Sequence, residues 1–555
     1  MKKFIKYLLI LLLIIILIPI VITFVLYKSA NMNEPEIEFV VQDYTTESRG
    51  DSLYCKESYL KRDTTGIWEL YVTGSNQHRG AMQGALTKEL MRYQEDVFID
   101  QIREIIPSDS YLGFLRVMLI TFNRKLGEYI PLEYRNEIAA LSQFCTHEYD
   151  AIGTPYERQL NYHAAHDIGH TMQQYMLVGC SSFGAWGDKS ATNKMIIGRN
   201  FDFYVGDNFA KNKIITFAMP EKGYRYASMG WAGMIGVLSG INQKGLTVTI
   251  NAAKGAIPTS AAMPISILTR EILQYASTIN EAFEIAKLRE TFVSESIFVG
   301  SAKDSIVGII EKTPESTALY VSNGNSIICT NHFQSNELKS SFYNLENIED
   351  SDSKYRFNRV EELLESYESV DYLDVVAILR DSKGLGNKDI GVGNEMTLNQ
   401  SIAHHSVIFA PQDSLMWVTT SPWQSGKIIC YNLKEFFANG AHPKQDSSLV
   451  IAEDSNFINN IYPKLLNFRA KIKEIKAAMS KKESLSQSYI NTFIELNENF
   501  YYTYSILAEY YYKMGNIPSA IEMYKSALEC EIPYKSQREE MEEILEGLNE
   551  TLEER

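Results

Sequence analysis

The chain has 555 residues, room for several domains at roughly 100–200 residues each. Apolar residues make up 45%, so a sizeable core can form. A net charge of −16, with no Lys/Arg cluster of useful length, argues against nucleic acid as a partner, because phosphate neutralisation needs such clusters.

The first stretch, "MKKFIKYLLILLLIIILIPIVITFVLYK", carries Lys2, Lys3 and Lys6 and then an uncharged run from Tyr7 to Tyr27. A helix needs about 20 apolar residues to cross a bilayer, whereas a secretory signal core has about 7–15. Residues 1–28 therefore read as an uncleaved membrane anchor rather than a cleaved signal, and Pro19 is tolerated in such a helix. The lysines favour a cytoplasmic N-terminus, which puts the rest of the chain outside the cytoplasm, periplasmic or extracellular. That location permits disulfides among Cys55, Cys145, Cys180, Cys329, Cys430 and Cys530. No CxxC spacing suggests a cysteine-built zinc site.

Residues 29–60 are polar and read as a linker. Residues 61–179 read mostly as helix: "NQHRGAMQGALTKELMRYQEDVFIDQIREII" has apolar residues recurring at three and four, and "EYIPLEYRNEIAALSQF" resumes the pattern after Pro131. From Cys180 the texture changes. "NKMIIGRNFDFYV", "NKIITFAMP" and "GYRYASMGW" are strand-like, and "GVLSGINQKGLTVTINAA" reads as two strands about an "NQKG" turn. Helix follows in "MPISILTREILQYASTINEAFEIAKL", then more strands, two helical segments near 354–366 and 370–380, a Gly-rich loop and closing strands up to about 450. Strands, helices and strands without regular βαβ alternation predict an α+β domain over 180–450, antiparallel sheets covered by helices.

Residues 451–555 are helical. Within 501–534, Tyr504, Leu507, Ala508, Tyr511, Gly515, Ala520, Tyr524, Ala527 and Pro533 follow the 34-residue tetratricopeptide pattern, the proline one place late. A single such hairpin cannot bury its own face, so it needs 453–500, 536–552 or a partner protein to pack on.

The stretch "LVGCSSFGAWG" sets a glycine directly before Cys180. A free thiol has a pKa of about 8.5, so a nucleophilic cysteine needs a neighbouring cation and a base. Arg199 is a candidate cation, and no histidine lies close in sequence. Breaking the Gly179–Cys180 bond would supply the base, since the new α-amine has a pKa of about 7.7–8.0 and sits on the same residue as the thiol. This is the N-terminal-nucleophile solution. Gly179, lacking a Cβ, would tolerate a strained backbone at the break.

"GCSSFGAWG", "GRNFDF", "GINQKGLTVTINAAKG", "CTNHF" and "SKYRFNR", in that order, resemble successive motifs of the cysteine N-terminal-nucleophile amidohydrolases. The resemblance is to the branch of the acyl-coenzyme A:6-aminopenicillanic acid acyltransferases, related to the choloylglycine hydrolases. The upstream "GTPYERQLNYHAAHDIGH" and "HRGAMQGAL" resemble that branch's N-terminal segment, so the likeness covers about residues 60–440. It implies an αββα sandwich, with Cys180 the nucleophile freed by cleavage at Gly179–Cys180 and Arg199 holding the thiolate. Asp202 would orient the α-amine, Asn251 would donate to the developing oxyanion, and Asn331 would position the substrate amide or the tetrahedral intermediate. Arg356 would complete the polar network, with Arg359 the alternative. In an extended strand 199 and 202 face opposite ways, so a bulge or bend is expected if both meet Cys180. The partner is a small-molecule amide, and no metal or organic cofactor is required.

Two other functions fit parts of the chain. "HAAHDIGH" places His163, His166, Asp167 and His170 on one helix face, a spacing compatible with zinc or iron and hence with a metal-dependent hydrolase. A non-catalytic protein would use the C-terminal repeat to recruit protein partners. The glycines of "GWAGMIG" and "GLGNKDIGVGNE" lack the strand–loop–helix context of a phosphate cradle. His404 and His405, at a strand start, receive no role.

Overall fold

The computed structural model describes residues 30–105, 117–171, 177–258 and 260–553, with short stretches at 5–7, 17–18, 21–22 and 25–26 before them. The expected anchor at 1–28 falls for the most part outside the described residues. Among those described, no helix is long and apolar enough to cross a membrane.

The first strands are β1 (Glu47–Arg49), β2 (Ser52–Cys55), β3 (Ser58–Arg62) and β4 (Trp68–Gly74). The stretch expected as a linker thus carries three strands. They are short, they lie at the edge of a sheet and they are rich in charge, so their composition reads as loop. Helices α1 (Asn76–Ile105), α2 (Leu132–Ser142) and α3 (Pro155–Thr171) follow. The spacing of "RGAMQGAL" has a packing reason. A Cβ at Gly80 would fall 2.1 Å from Glu137 O, and one at Gly84 2.7 Å from the Phe144 ring, so α1 meets α2 and the turn after it backbone to backbone.

Then come β5 (Leu177–Ala185), β6 (Ile196–Tyr204), β7 (Ile214–Pro220), β8 (Tyr226–Gly230), β9 (Ser239–Asn242) and β10 (Leu246–Ala252). Helices α4 (Ile265–Tyr275) and α5 (Ile279–Leu288) lead to β11 (Glu295–Ser301), β12 (Ile306–Lys312), β13 (Thr317–Val321) and β14 (Ser326–Cys329). Helices α6 (Phe342–Asp350), α7 (Ser353–Ser366) and α8 (Tyr372–Leu379) precede β15 (Ala403–Ala410), β16 (Leu415–Thr419), β17 (Ile428–Asn432) and β18 (Lys444–Gln445).

One sheet has eleven strands in the order β1-β2-β3-β4-β7-β8-β9-β10-β11-β12-β13, and the other has seven in the order β14-β5-β6-β15-β16-β17-β18. Neighbours run antiparallel except β4 and β7, which run parallel with Leu70 opposite Thr216. That pairing ties residues before 179 into the same sheet as those after it. Three cores order the layers. Leu70, Val248 and Ile297 pack under Met82, Ile138, Leu160 and Leu268 of the first five helices. Phe217, Phe298 and Ile309 of the larger sheet meet Ile197, Val407 and Val418 of the smaller. Phe183, Ile408 and Trp417 meet Val360, Leu364 and Val375 of α7 and α8. The layers therefore run helix, sheet, sheet, helix. Strands covered on both faces are buried throughout, as β10 and β11 are. Each fully buried Phe or Ile contributes about 1.5–3 kcal/mol.

The C-terminal helices are α9 (Tyr462–Lys481), α10 (Gln487–Leu496), α11 (Tyr501–Lys513), α12 (Ile517–Glu529) and α13 (Lys535–Glu553). The α11–α12 hairpin packs on both of its expected mates within the chain. Ile506, Leu507 and Tyr510 meet Phe468, Phe493 and Phe500, while Ala508, Ala520 and Tyr524 meet Leu548. The same helices brace a loop before β15: Asn497 accepts from Val392 N and donates to Val392 O, both at 3.0 Å. All six cysteines are free thiols.

Candidate functional site

Cys180 lies on β5, and the local pairing of that strand builds the site. On one side β6 pairs along its whole length, with Gly179 opposite Asp202, Cys180 opposite Phe201 and Ser182 opposite Arg199. On the other side β14 reaches only as far as Ser182, which faces Cys329. The backbone of Cys180 is left without a strand partner there, and side chains take the place of one. Cys180 N donates to Asn331 Oδ1 at 3.0 Å. Arg356 Nη1 donates to Cys180 O at 2.7 Å and to Ser181 Oγ at 2.9 Å, and Arg356 Nη2 to Asn331 Oδ1 at 2.7 Å. Asn331 Nδ2 donates to Ala252 O at 2.9 Å, which fixes its amide orientation.

The thiol points into the space between the sheets, where Arg199 Nη2 lies 3.7 Å from Sγ. Arg199 is held by Ser239 Oγ at 2.5 Å and Ile250 O at 2.6 Å, both on the larger sheet, and its guanidinium lies over the Phe201 ring. Burial pushes the Cys180 thiol up to about 11, and the Arg199 charge pulls it back down. Asn251 closes the floor. Its Oδ1 accepts from Ser182 Oγ at 2.8 Å and its Nδ2 donates to Cys329 O at 3.0 Å, leaving one amide N–H uncommitted among these contacts.

Asp202 stands on the other face of β6. The β5–β6 register runs without a shift, so no bulge brings Asp202 round to the thiol. The irregularity lies in the neighbouring strand, between Ala403 and His405. Asp202 thus lies beside the Gly179–Cys180 bond on the side of Arg356. It is fully buried, and neither carboxyl oxygen has a hydrogen-bond partner among the described residues. Burial raises it to about 8 against the pull of Arg356 and Arg199. Gly179 has ordinary strand backbone and no positive φ, so the expected strain at the break is absent.

The two arginines of α7 differ in position. Arg356 faces Cys180, and Asp352 steadies it at 3.0 Å. Arg359, one turn on, is bound to Asp381 at 2.9 Å, Glu362 and Asn387, away from the thiol.

Among the described residues the metal alternative finds no ligand set. His163 Nδ1 donates to Gln159 O at 2.7 Å while Nε2 accepts from Ile235 N at 2.9 Å, so neither ring nitrogen is free to bind an ion. Asp167 accepts from Ile265 N. The side chains of His166 and His170 lie outside what is described, and the described residues contain no metal-binding group of three.

Several residues at the site carry no motif. Ser239 and His405 hold Arg199 from behind, with His405 Nε2 2.8 Å from Ser239 Oγ and 3.4 Å from Arg199 Nη1. The signal for Asp352 was present, four residues before Arg356 on a helix, the spacing of an ion pair. Nothing local marks Ser239. Beyond Phe201, Phe203 stacks on Trp231, lining a narrow apolar cleft of about 40 Å³. Its walls are Met91, Phe98 and Tyr162 from before residue 179, and Phe209 and Met234 from after it.

Residues 189–421 match the model of the acyl-coenzyme A:6-aminopenicillanic acid acyl-transferase family. That range includes Arg199, Asp202, Asn251, Asn331 and Arg356 and begins nine residues after Cys180. An uncharacterized protein of Archaeoglobus fulgidus is 22% identical over 261 residues, 44% of this chain and 43% of its own length. Protein dcd1B of Dictyostelium discoideum is 22% identical over 269 residues, 45% and 51%. The chain spans about half the length of the curated relatives it matches. Among solved structures, a Caenorhabditis elegans ortholog of N-acylethanolamine-hydrolyzing acid amidase aligns with TM-score 0.31 and 17% identity, covering 42% of this chain and 93% of that one. A mutant of the conjugated bile acid hydrolase of Clostridium perfringens aligns with TM-score 0.33 and 13% identity, covering 48% and 96%.

Proposed function

We propose that the protein is a cysteine N-terminal-nucleophile enzyme, activated by its own cleavage at Gly179–Cys180, that hydrolyses or transfers acyl groups from linear amides. The observation that carries this reading is the buried carboxyl of Asp202, without a hydrogen-bond partner among the described residues and set opposite Gly179, beside a thiol that Arg199 faces. What that arrangement lacks is an amine, and cleavage makes one.

In the activating step Cys180 Sγ attacks the Gly179 carbonyl carbon, and the Gly179–Cys180 C–N bond breaks. The nitrogen takes the thiol proton and becomes the α-amine. Water then splits the thioester, giving a Gly179 carboxylate and a free thiol. Once the α-amine has taken up a proton it would pair with Asp202, whose pKa would fall in answer.

In turnover the α-amine takes the thiol proton and Arg199 stabilises the thiolate. Sulfur attacks the substrate amide carbon, and the oxyanion is met by the uncommitted Asn251 N–H. A donor of this kind contributes about 2.7–4 kcal/mol. The leaving amine takes the proton back, and water or a second amine releases the acyl group. Asn331 and Arg356 hold Cys180 in register throughout.

The apolar run and lysines at 1–28 support an anchored enzyme outside the cytoplasm, and the spacing within 501–534 supports a tetratricopeptide-like hairpin. The hairpin's buried apolar residues are covered by the chain's own helices. Intact-mass analysis tests the reading. Wild type should give two fragments parting after residue 179, and Cys180→Ala one. An intact wild-type chain with full amidase activity overturns it.

A further inference from the structure

A second cavity, of about 470 Å³, lies between the β3–β4 turn, the residues leading into β7 and the segment after β16. Arg62, Lys211 and Lys213 line it with Asn212, Thr420 and Ser421, and none of its lining residues is acidic. The nearest acid in sequence, Asp63, is already committed to Thr65 and to the Ile67 N–H.

Lys213 is the telling residue. It is 3% exposed, and among the described residues the acceptor for its ammonium is the Thr420 carbonyl at 3.2 Å, one neutral oxygen for a group with three donors. A buried ammonium is retained at a cost unless an anion meets it. Burial lowers it to about 7. Arg62 is steadied over the Trp68 ring, whose Nε1 in turn donates to Asn212 Oδ1. The cavity is large enough for a small-molecule group, since pockets for such ligands run from about 300 Å³ upward.

Its place relative to Cys180 is fixed by register. In the order β5-β6-β15-β16, Cys180 faces Phe201, Phe201 faces His405, and Ser406 N donates to Thr419 Oγ1. Thr420 therefore lies at the same end of the sheet as the thiol, three strands away. At the usual strand spacing that is about 14 Å. Between the two stand Arg199, His405 and His404, with His405 Nδ1 2.9 Å from His404 Nδ1.

We propose that this cavity binds an oxyanion, a carboxylate or phosphate group, with Lys213 as its central ligand and Arg62 and Lys211 at its rim. The anion has two sources, an acid group at the far end of the amide substrate or a free inorganic oxyanion. The first rests on the amidase reading and the second stands without it.

Calorimetric titration of the full chain with inorganic phosphate is the test. Wild type should bind saturably, and Lys213→Met, which keeps the volume without the charge, should weaken binding at least about tenfold. Arg62→Gln/Lys211→Gln, changed at the exposed rim, should weaken it several-fold and guards against a Lys213 variant that fails to fold. A second arm compares KM for an amide ending in a carboxylate with KM for its methyl ester. If the anion belongs to the substrate, Lys213→Met raises KM for the acid and not the ester. If it is free, both KM values hold while phosphate binding is lost. Equal phosphate binding by wild type and both variants overturns the proposal, as does no binding by wild type together with no acid–ester difference.

Discussion

Two buried arginines approach Cys180 from opposite faces of the same pair of strands, and their surroundings differ. Arg356 is bound to a carboxylate, Asp352, and that attraction outweighs burial and raises its pKa. Arg199 is held by a hydroxyl and a carbonyl, and burial lowers it. An arginine already matched to an acid can hold backbone in place but has little field to spare. One held by neutral groups keeps its charge for the thiol beside it. The strand thus carries its electrostatic element on the inner face and its positioning element on the outer.

The sharpest way to break this contrast is to remove the inner charge. Arg199→Met should cut amide turnover about 10²–10³-fold, the size of losing one transition-state donor. The midpoint of the pH dependence of thiol alkylation should climb, because Arg199 is the larger of the two charges that lower the thiol. Arg199→Lys should restore part of both. If the melting temperature falls while the alkylation profile stays put, Arg199 is structural and the contrast fails.

The outer arginine should behave otherwise. Arg356→Ala leaves Asp352 buried without its partner, a loss of about 3–5 kcal/mol, and frees Cys180 O and Asn331 together. Cleavage should stop. Arg359→Ala breaks charged hydrogen bonds to Asp381 worth about 1.5–3 kcal/mol, yet its chain should still be cut. Denaturation curves and fragment masses of the two variants separate position from stability.

That distinction was out of reach in the sequence, where "KYRFNR" offers two arginines one turn apart. Only the three-dimensional placing of Asp352 and Asp381 decides between them. The motifs in local strands, Cys180 with Gly179 and Arg199 with Asp202, were legible because strand alternation fixes which face each takes. The bulge expected if Arg199 and Asp202 both met the sulfur is absent, and Asp202 lies on the far side of the strand from it. Edge strands β1–β3 were lost to their charge, and Ser239 and His405 to the absence of any spacing rule across sheets.

Asp202 gives a smaller and more specific effect. In an uncut chain its carboxyl sits at about 8, against about 3.9 when unfolded. A raised acid contributes stability that is complete below the unfolded value and is lost as pH rises through the folded one. Cys180→Ala, which cannot cut itself, should therefore lose stability between about pH 4 and pH 8, and adding Asp202→Asn should flatten that slope. Asp167, also raised to about 8 by burial, keeps a share of it. Melting temperature against pH for the two proteins measures the difference. Identical slopes would mean that Asp202 already has a partner in the uncut chain.

The smallest effect concerns why the residue before the thiol is glycine. Its backbone is ordinary strand, so conformational freedom is not the reason. A Cβ there would fall 2.8 Å from Gln400 Nε2 and 3.1 Å from Oε1. Gln400 is buried and donates to Glu395 O at 2.9 Å, and the Glu395 carboxylate accepts from Tyr501 OH at 3.2 Å. The slot in front of Gly179 is therefore backed by the C-terminal helices and does not widen freely. Gly179→Ala should slow cleavage by roughly five- to tenfold, an overpacking cost at the low end of 1–3 kcal/mol. Gln400→Ala alone should change little, and the double variant should regain most of the rate, a coupling expected of residues in contact. A double variant as slow as Gly179→Ala would return the glycine to a backbone role and detach the C-terminal helices from the cleavage site.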